Sequence, residues 1–244
     1  MWSRTLLFGL FALCATAQTP SQPPTLIRLI RNGSIKPYSD TRAPVTLFGM
    51  KSLSGFQETW LMEAHDSFAS IENLDKTIAN SLGDDSPSPP RTMIALYRPG
   101  LSYRPEQAIR MYPKARYFQV FIYRIRPGTD SDFADLVKLR RQALDAINLN
   151  RPDIAYQVIS GAESGTYVFL GPLVSLATLD SGLANSPVYA DGVADASVEA
   201  RRKIAADGEM SRENLLFRID PRISNVSEAF AADESEFWHG GKKP

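Results

Sequence analysis

The sequence predicts an α+β fold made of two similar halves in tandem, and three observations support this prediction. The order strand, helix, strand, strand is readable between Arg116 and Asp180. Upstream, Lys51 to Met62 resembles Gln157 to Phe169, so the last part of that order occurs twice. Both copies turn at a Ser-Gly pair and continue into a short helical run, and such an internal repeat indicates a duplicated unit.

The second half has the clearer pattern. Tyr117 to Arg126 is rich in aromatic and β-branched residues, which suit a half-buried strand, and a Pro-Gly pair ends it. Apolar residues at helical spacing then run from Thr129 to Asn148. Ile154 to Ser160 and Thr166 to Leu170 predict two strands joined by a glycine-bounded hairpin turn.

The first half repeats this order with one departure. Thr25 to Arg31 predicts its first strand, Val45 to Ala64 a hairpin, and Thr92 to Arg98 a closing strand. The segment from Ile35 to Pro44 takes the place of the first helix, and its two prolines oppose a helical interior. The chain is therefore predicted to contain two tandem ferredoxin-like β-α-β-β-α-β repeats, the first lacking most of its first helix.

These elements divide the chain into six segments. They are a signal peptide at 1–17, a flexible leader at 18–24, a first ferredoxin-like repeat at 25–102, a linker at 103–115, a second repeat at 116–226 and a C-terminal tail at 227–244. The tail contains Phe237 and Trp238, two aromatic residues that we expect to anchor it to the folded part.

The first segment has the three parts of a secretory signal peptide. Arg4 gives a positive start, Leu6 to Leu13 an apolar centre, and Ala15-Thr16-Ala17 a cleavage site of small residues. We therefore expect an exported protein, periplasmic or extracellular, whose mature chain begins at Gln18. A lipoprotein attached through Cys14 is the alternative, although the bulky Leu13 precedes that cysteine. The apolar run is too short to span a membrane.

Composition excludes several classes of chemistry. Cys14 is the only cysteine and lies in the signal peptide, so the mature chain has no disulfide, thiolate nucleophile or cysteine-ligated metal. Cleavage also removes Arg4, which leaves one acidic residue more than the basic residues. Because the chain is almost neutral, its charge does not favour nucleic acid or a membrane surface as a partner. A glycine-rich phosphate loop and a G-x-S-x-G nucleophile motif are both missing from the sequence.

Two stretches of the chain resemble known proteins. Ser54 to Trp60 leading to Asp66-Ser67-Phe68, and Ala115 to Phe118 leading to Arg126-Pro127-Gly128, resemble uncharacterised exported bacterial proteins. Those are similar in turn to the dimeric α/β-barrel superfamily, which includes antibiotic-biosynthesis-monooxygenase-like domains. The resemblance implies that the barrel, which two subunits normally form, closes within this one chain because the chain contains two copies; the alternative is that the chain dimerises further. It implies no single function, since cofactor-free oxygenases, haem-dependent enzymes, small-molecule binders and stress proteins share this frame.

His65 is the first candidate for catalysis. It shares one strand face with Leu61 and Glu63, opposite Trp60, so Glu63 could orient His65 as a general base or help it to hold a metal. A structural histidine at the end of a strand is the alternative. No metal-ligand spacing accompanies it, since the other histidine, His239, lies in the tail.

Arginine and tyrosine are interleaved in the centre of the chain, between Arg91 and Arg126. Such residues suit a small aromatic or anionic ligand, because guanidinium groups bind anions and stack on rings. The candidate ligand-binding residues are Trp60, Arg28, Tyr97, Arg98, Tyr123 and Arg124. Trp60 and Tyr167 are expected at equivalent strand positions in the two halves. The alternative is that the arginines pair with acids of the other half or of the C-terminal region.

The residues therefore predict a small-molecule-binding or structural barrel protein that needs no cofactor. The resemblance adds an alternative, a cofactor-free or haem-dependent monooxygenase-like enzyme, for which His65 and Trp60 are the residues to test. A purely structural homodimer is a third hypothesis. We expect a small aromatic or anionic partner rather than nucleic acid.

Overall fold

The structure is a computed structural model and describes residues 22–32, 46–78, 90–184, 203 and 205–239. The predicted signal peptide and the segment at 35–44, where the first helix is predicted to be missing, lie outside these ranges. Within them, no helix has both the length and the apolar character that a membrane crossing requires.

The described residues form eight strands that close into one antiparallel barrel. The strands are β1 (Leu26–Arg31), β2 (Leu47–Ser52), β3 (Thr59–His65), β4 (Arg91–Tyr97), β5 (Tyr117–Ile125), β6 (Ile154–Ser160), β7 (Thr166–Leu173) and β8 (Glu209–Ile219). Around the barrel they follow the order β1-β3-β2-β8-β5-β7-β6-β4, and β4 pairs with β1. The barrel therefore closes within a single chain, and these strands leave no open edge.

Helices cover the barrel on its outside and at one end. They are α1 (Phe68–Ile78), α2 (Pro105–Met111), α3 (Asp130–Ala146), α4 (Ala177–Ala184), α5 (Glu228–Ala231) and α6 (Ser235–Trp238). The segment predicted as a linker thus contains a helix, α2. Pro105 begins this helix because its fixed φ suits the first helical position, and Glu106 adds a favourable negative charge to the first turn.

The two halves of the barrel have the same strand order. It is β4-β1-β3-β2 in the first half and β8-β5-β7-β6 in the second. The halves meet where β2 pairs with β8 and β4 pairs with β6, which places Met50 opposite Ile219 and Ala95 opposite Val158. The predicted α+β class and the predicted barrel are confirmed.

Side chains fill the interior of the barrel. Alternate residues of each strand point inward, and large ones among them, such as Trp60, Phe118, Tyr156 and Phe217, are fully buried. The rings of Trp60 and Phe217 lie 4.7 Å apart at their centroids. The interior is therefore a packed core, as in other small barrels.

One mouth of the barrel is plugged by α2 and by the C-terminal helices α5 and α6. Phe48, at the start of β2, contacts the rings of Tyr112, Phe230 and Trp238 at centroid distances of 5.7, 5.5 and 5.8 Å. The indole Nε1 of Trp238 donates a hydrogen bond to the Pro113 carbonyl oxygen at 2.7 Å. Trp238 therefore anchors the C-terminal segment, as predicted.

A second aromatic cluster lies outside the barrel, beneath α3. The ring of Phe133 packs against those of Tyr167 and Phe169, at 4.8 and 6.1 Å. The expectation that Trp60 and Tyr167 are equivalent is therefore wrong, since Trp60 faces the interior and Tyr167 faces α3. Successive residues of a strand point to opposite faces, so an alignment displaced by one residue exchanges the two faces.

Asp220 ties the end of β8 to β2. Its carboxylate accepts hydrogen bonds from the Arg222 side chain at 2.9 and 2.8 Å, and the ammonium of Lys51 lies 2.9 Å away. The hydrogen bonds from Arg222 and then from Lys51 hold the pKa of Asp220 well below its usual range, although burial acts in the opposite direction.

We expect Asp220→Asn to lower the free energy of unfolding at neutral pH and to flatten its decline in acid. A depressed pKa in the folded state contributes stability that is fully present above the ordinary aspartate pKa of about 3.9 and is lost as the pH falls below it. In urea unfolding at a series of pH values, the free energies of unfolding of Asp220→Asn and of the wild type should therefore converge in acid. Asp135→Asn changes an exposed position on α3, and its free energy of unfolding should fall with decreasing pH as steeply as that of the wild type. An equally steep fall in Asp220→Asn would contradict the prediction.

Candidate functional site

The second mouth of the barrel is open and contains a cavity of about 260 Å³. It lies where β1 and β5 end and where β4, β7 and β8 begin. Its lining combines three arginines, two glutamates and an apolar inner wall, namely Arg31, Arg91, Arg124, Glu163, Glu213, Met93 and Ile122. Strand alternation explains this composition, because the inward positions of β1, β4 and β5 change from apolar residues in the core to arginines at the rim.

Arg31 is already neutralised by a neighbour. Its guanidinium donates to both carboxylate oxygens of Glu58, at 2.9 and 3.0 Å, and lies 4.9 Å above the Trp60 ring. The indole Nε1 of Trp60 also donates to Glu58, at 2.7 Å. Burial alone would raise the pKa of Glu58, but the hydrogen bonds from Arg31 and Trp60 lower it below its usual value. Arg31 therefore helps to build the wall of the cavity.

Arg91 and Arg124 are less completely paired. The guanidinium of Arg124 lies 3.4 Å from Glu163, while its buried Nε has no hydrogen-bond partner. The side chain of Arg91 makes no ion pair with any residue in the described ranges, and that of Glu213 makes none there either. The mouth therefore presents the guanidinium groups of Arg91 and Arg124 and the carboxylate of Glu213 beside the apolar surface of Met93 and Ile122, and the charge of Arg91 also helps to lower the pKa of Glu58.

Arg124 is the predicted ligand-binding residue that lines this cavity. Trp60 lies behind Arg31 and is fully buried. Tyr97 lies at the end of β4 that faces the plugged mouth, and Arg98 follows it there. These predicted residues are therefore divided between the two ends of the barrel.

The other two predicted ligand-binding residues lie outside the barrel. The ring of Tyr123 faces α3, 5.4 Å from that of Phe133, and Arg28 is buried beneath α1. The six predicted residues consequently do not form one site. Sequence reasoning missed Arg31 as a member of the mouth, although its spacing from Ile27 and Leu29 places all three on one strand face.

Some of the arginines between Arg91 and Arg126 form ion pairs with acidic residues of the same chain. Arg104 lies 2.7 Å from Asp145 in α3, and Arg116 lies 2.5 Å from Glu234 near the C-terminus. The alternative that the arginines pair with acids of the other half or of the C-terminal region therefore holds for Arg104 and Arg116. It does not apply to Arg91 within the part of the chain that is described.

Glu63 and His65 belong to a buried polar network on the outer face of the first half, beneath α1. Arg28 donates to both carboxylate oxygens of Glu63, at 2.5 and 3.1 Å, and to Asp75 of α1 at 2.5 Å. His65 Nε2 lies 2.9 Å from Glu63 Oε2, and Nδ1 lies 3.1 Å from Ser70 Oγ. Burial alone would lower the pKa of Arg28, but the hydrogen bonds and charges of Glu63 and Asp75 raise it.

The expected contact between Glu63 and His65 is therefore present, but Trp60 is not part of it. Trp60 points into the barrel, whereas Glu63 and His65 point to its outer face. A single site containing both His65 and Trp60 is not formed. His65 and the cavity lie on different sides of the sheet.

His65 does not fit a haem ligand, because both of its ring nitrogens have polar neighbours. Haem iron in proteins is held by histidine nitrogen, cysteine, methionine or tyrosine. Both ring nitrogens of His65 lie within hydrogen-bonding distance of Glu63 and Ser70, whereas His239 Nε2 lies 3.3 Å from Glu228 without making a hydrogen bond. Over the ranges that the structure covers, no three histidine, cysteine, aspartate or glutamate side chains are grouped to hold a metal ion.

Neither a protein-family model nor a curated protein matches the sequence. Among solved structures, an anthrone oxidase-like protein has a TM-score of 0.49 and 11% identity, and covers 80% of this chain and 91% of its own. A candidate monooxygenase from Lactobacillus acidophilus NCFM has a TM-score of 0.47 and 8% identity, covering 80% of this chain and 94% of its own.

A chlorite dismutase variant from Candidatus Nitrospira defluvii, in complex with cyanide, has a TM-score of 0.47 and 8% identity, covering 86% of this chain and 95% of its own. At these values the similarity carries no information about residues or chemistry.

Proposed function

We propose that the open mouth of the barrel binds a small anionic molecule that has an aromatic or apolar part. The observation that carries this proposal is the position of Arg124, whose buried Nε lacks a hydrogen-bond partner at the wall of the cavity. A buried polar group without a partner costs free energy, and a bound acceptor would recover it. Arg91 supplies a second cation beside it, and Met93 supplies apolar contact.

The size and charge of the cavity limit the ligand. A volume of about 260 Å³ lies just below the usual range of small-molecule pockets, which favours a ligand with a single ring. Glu163 competes for Arg124, but a separation of 3.4 Å is longer than a good charge-assisted hydrogen bond. A ligand carboxylate that binds a guanidinium through both oxygens would have better geometry.

We expect benzoate to bind the protein and its neutral analogue benzamide to bind at least tenfold more weakly. Arg124→Gln and Arg91→Gln should each raise the Kd for benzoate about tenfold, since a hydrogen bond to a charged group contributes about 1.5–3 kcal/mol. Isothermal titration calorimetry measures these constants directly.

Arg110→Gln is the matched control for this experiment, because Arg110 is an exposed arginine on α2 at the plugged end. Its Kd for benzoate should equal that of the wild type. Equal binding of benzoate and benzamide, or a loss in Arg110→Gln as large as in Arg124→Gln, would remove the mouth as the binding site.

We also propose that the two halves descend from one duplicated unit, that the first has lost most of its first helix, and that the protein is exported. The common strand order and the positive φ of both Gly55 and Gly161, at equivalent hairpin turns, support the duplication. A homodimer remains a proposal as well. Native mass spectrometry of the protein from its own host measures the subunit number, the mature N-terminus and any retained ligand or haem together.

A monooxygenase-like enzyme is the alternative proposal. The observation that bears on it is the contact between Glu63 and His65, which gives the first half an ionisable pair beneath α1. Because this pair lies outside the barrel, an enzyme that used His65 would act there and not in the open mouth.

A further inference from the structure

Ser70 lies in line with His65 and Glu63 under the start of α1. Its Oγ is 3.1 Å from His65 Nδ1, and the other ring nitrogen, Nε2, is 2.9 Å from Glu63 Oε2. A hydroxyl, an imidazole and a carboxylate thus follow one another at hydrogen-bonding distance. This is the geometry in which a base activates a nucleophile while a third group orients the base.

Glu63 fixes the tautomer of His65. Arg28 donates to both oxygens of Glu63, so the carboxylate acts as an acceptor, and the nearby Nε2 must carry the ring proton. In the neutral ring Nδ1 then has a lone pair directed at Ser70. The Ser70 hydroxyl has a second acceptor in the Ser67 carbonyl oxygen, at 2.7 Å. When the Ser70 hydroxyl donates its hydrogen bond to His65 Nδ1 instead, the Ser70 oxygen becomes the more nucleophilic.

Solvent access also differs along this line of groups. Glu63 and His65 are 0% and 3% exposed, whereas Ser70 is only half-buried. Ser70 therefore lies nearer to solvent than its base, which is enclosed by protein. Ser70 belongs to the first turn of the eleven-residue helix α1, where its own backbone N–H donates to Ser67 Oγ at 3.2 Å.

We propose that Ser70 is a nucleophile for acyl transfer from an ester, with His65 as its general base and Glu63 as a positioning residue. Ser70 Oγ forms a bond to the acyl carbon, its proton passes to His65 Nδ1, and the ester C–O bond breaks to release the alcohol, which takes up that proton. Water then attacks the acyl-serine, gives a proton to His65, and Ser70 Oγ leaves and recovers it. Residues of the open mouth take no part, so this activity is independent of anion binding.

We expect p-nitrophenyl acetate to produce a burst of p-nitrophenolate and one acetyl group on Ser70, located by peptide mass spectrometry. Ser70→Ala and His65→Asn should each slow acetylation at this position by about 100-fold or more, the range that general base catalysis contributes. Ser70→Cys should restore acylation at the same residue, because it replaces one nucleophile by another.

Ser175→Ala is the matched control, since Ser175 lies just before α4, where its Oγ accepts a hydrogen bond from the backbone N–H of Ala177. It should acetylate Ser70 at the wild-type rate. A burst that persists in Ser70→Ala, or acetyl groups found only on lysines, would overturn the proposal. Circular dichroism and thermal unfolding of each variant separate loss of the nucleophile from loss of the fold.

The role of Glu63 has its own test in the unmodified protein. Long-range ¹H–¹⁵N NMR spectra distinguish a protonated Nε2 from a protonated Nδ1 on His65. We expect the proton on Nε2 in the neutral ring, as the Glu63 contact requires. A neutral ring protonated at Nδ1 would leave no lone pair for Ser70 and would overturn the proposed mechanism.

Discussion

Arg28→Met is expected to lower the free energy of unfolding by about 3–5 kcal/mol, the usual cost of leaving one member of a buried ion pair without its partner. Arg28 and Glu63 are 7% and 0% exposed, and two hydrogen bonds join them. Methionine has the length of the arginine stem but no donor, so it leaves the Glu63 carboxylate buried without its guanidinium. Guanidinium chloride unfolding measures the difference.

The double variant Arg28→Met/Glu63→Gln should recover about half of this loss. It removes the buried charge while keeping a polar group beside His65, and uncharged replacements of buried ion pairs are often close to neutral. A double-mutant cycle then gives the coupling energy between the two positions.

Arg104→Met is the matched control for Arg28→Met. Its partner Asp145 is more than half exposed, and surface ion pairs contribute at most about 1 kcal/mol. If Arg28→Met cost no more than Arg104→Met, the network beneath α1 would not be a source of stability.

Trp238→Ala is expected to cost about 3–5 kcal/mol, as other buried tryptophan truncations do. The substitution removes ring contacts with Phe48 and Phe230 and leaves the Pro113 carbonyl oxygen without its indole donor. The chemical denaturation midpoint and the near-ultraviolet circular dichroism spectrum should both change, because the plug of one barrel mouth would lose its largest side chain.

Phe56→Ala provides the comparison for Trp238→Ala. Phe56 lies in the turn between β2 and β3 and is 86% exposed, so its loss should change stability by about 0.5 kcal/mol or less. A cost below about 1 kcal/mol for Trp238→Ala would mean that the C-terminal segment is not part of the cooperative folding unit.

Local sequence pattern predicts the strands well because it reports directly which residues meet the core. Tyr117 to Ile125 and Ile154 to Ser160 are bounded by glycine or proline and rich in β-forming residues, and both are strands. α2 could not be predicted in the same way, since seven residues between two prolines are too few to establish a helical period. Its one local signal is Pro105 followed by Glu106.

The candidate sites depend on pairing across the chain, which local pattern does not contain. Arg28 and Glu63 are 35 residues apart, and the β1–β3 register makes them neighbours. The adjacency of Glu63 and His65 was predictable because both lie on one strand. The contact between Ser70 and His65 was not predictable, because it depends on how α1 packs over β3. Arg91 and Arg124 line the same mouth only because β4 begins and β5 ends there.

Closure of the barrel also has a consequence for the chain as it leaves the ribosome. β2 and β4 form the two edges of the first sheet until β8 and β6, their partners, have been synthesised. Exposed strand edges pair readily with other chains, so the nascent first half is a template for aggregation during this interval. A chain that stops before β8 should therefore be insoluble or self-associated, because the edge of β2 would stay unpaired.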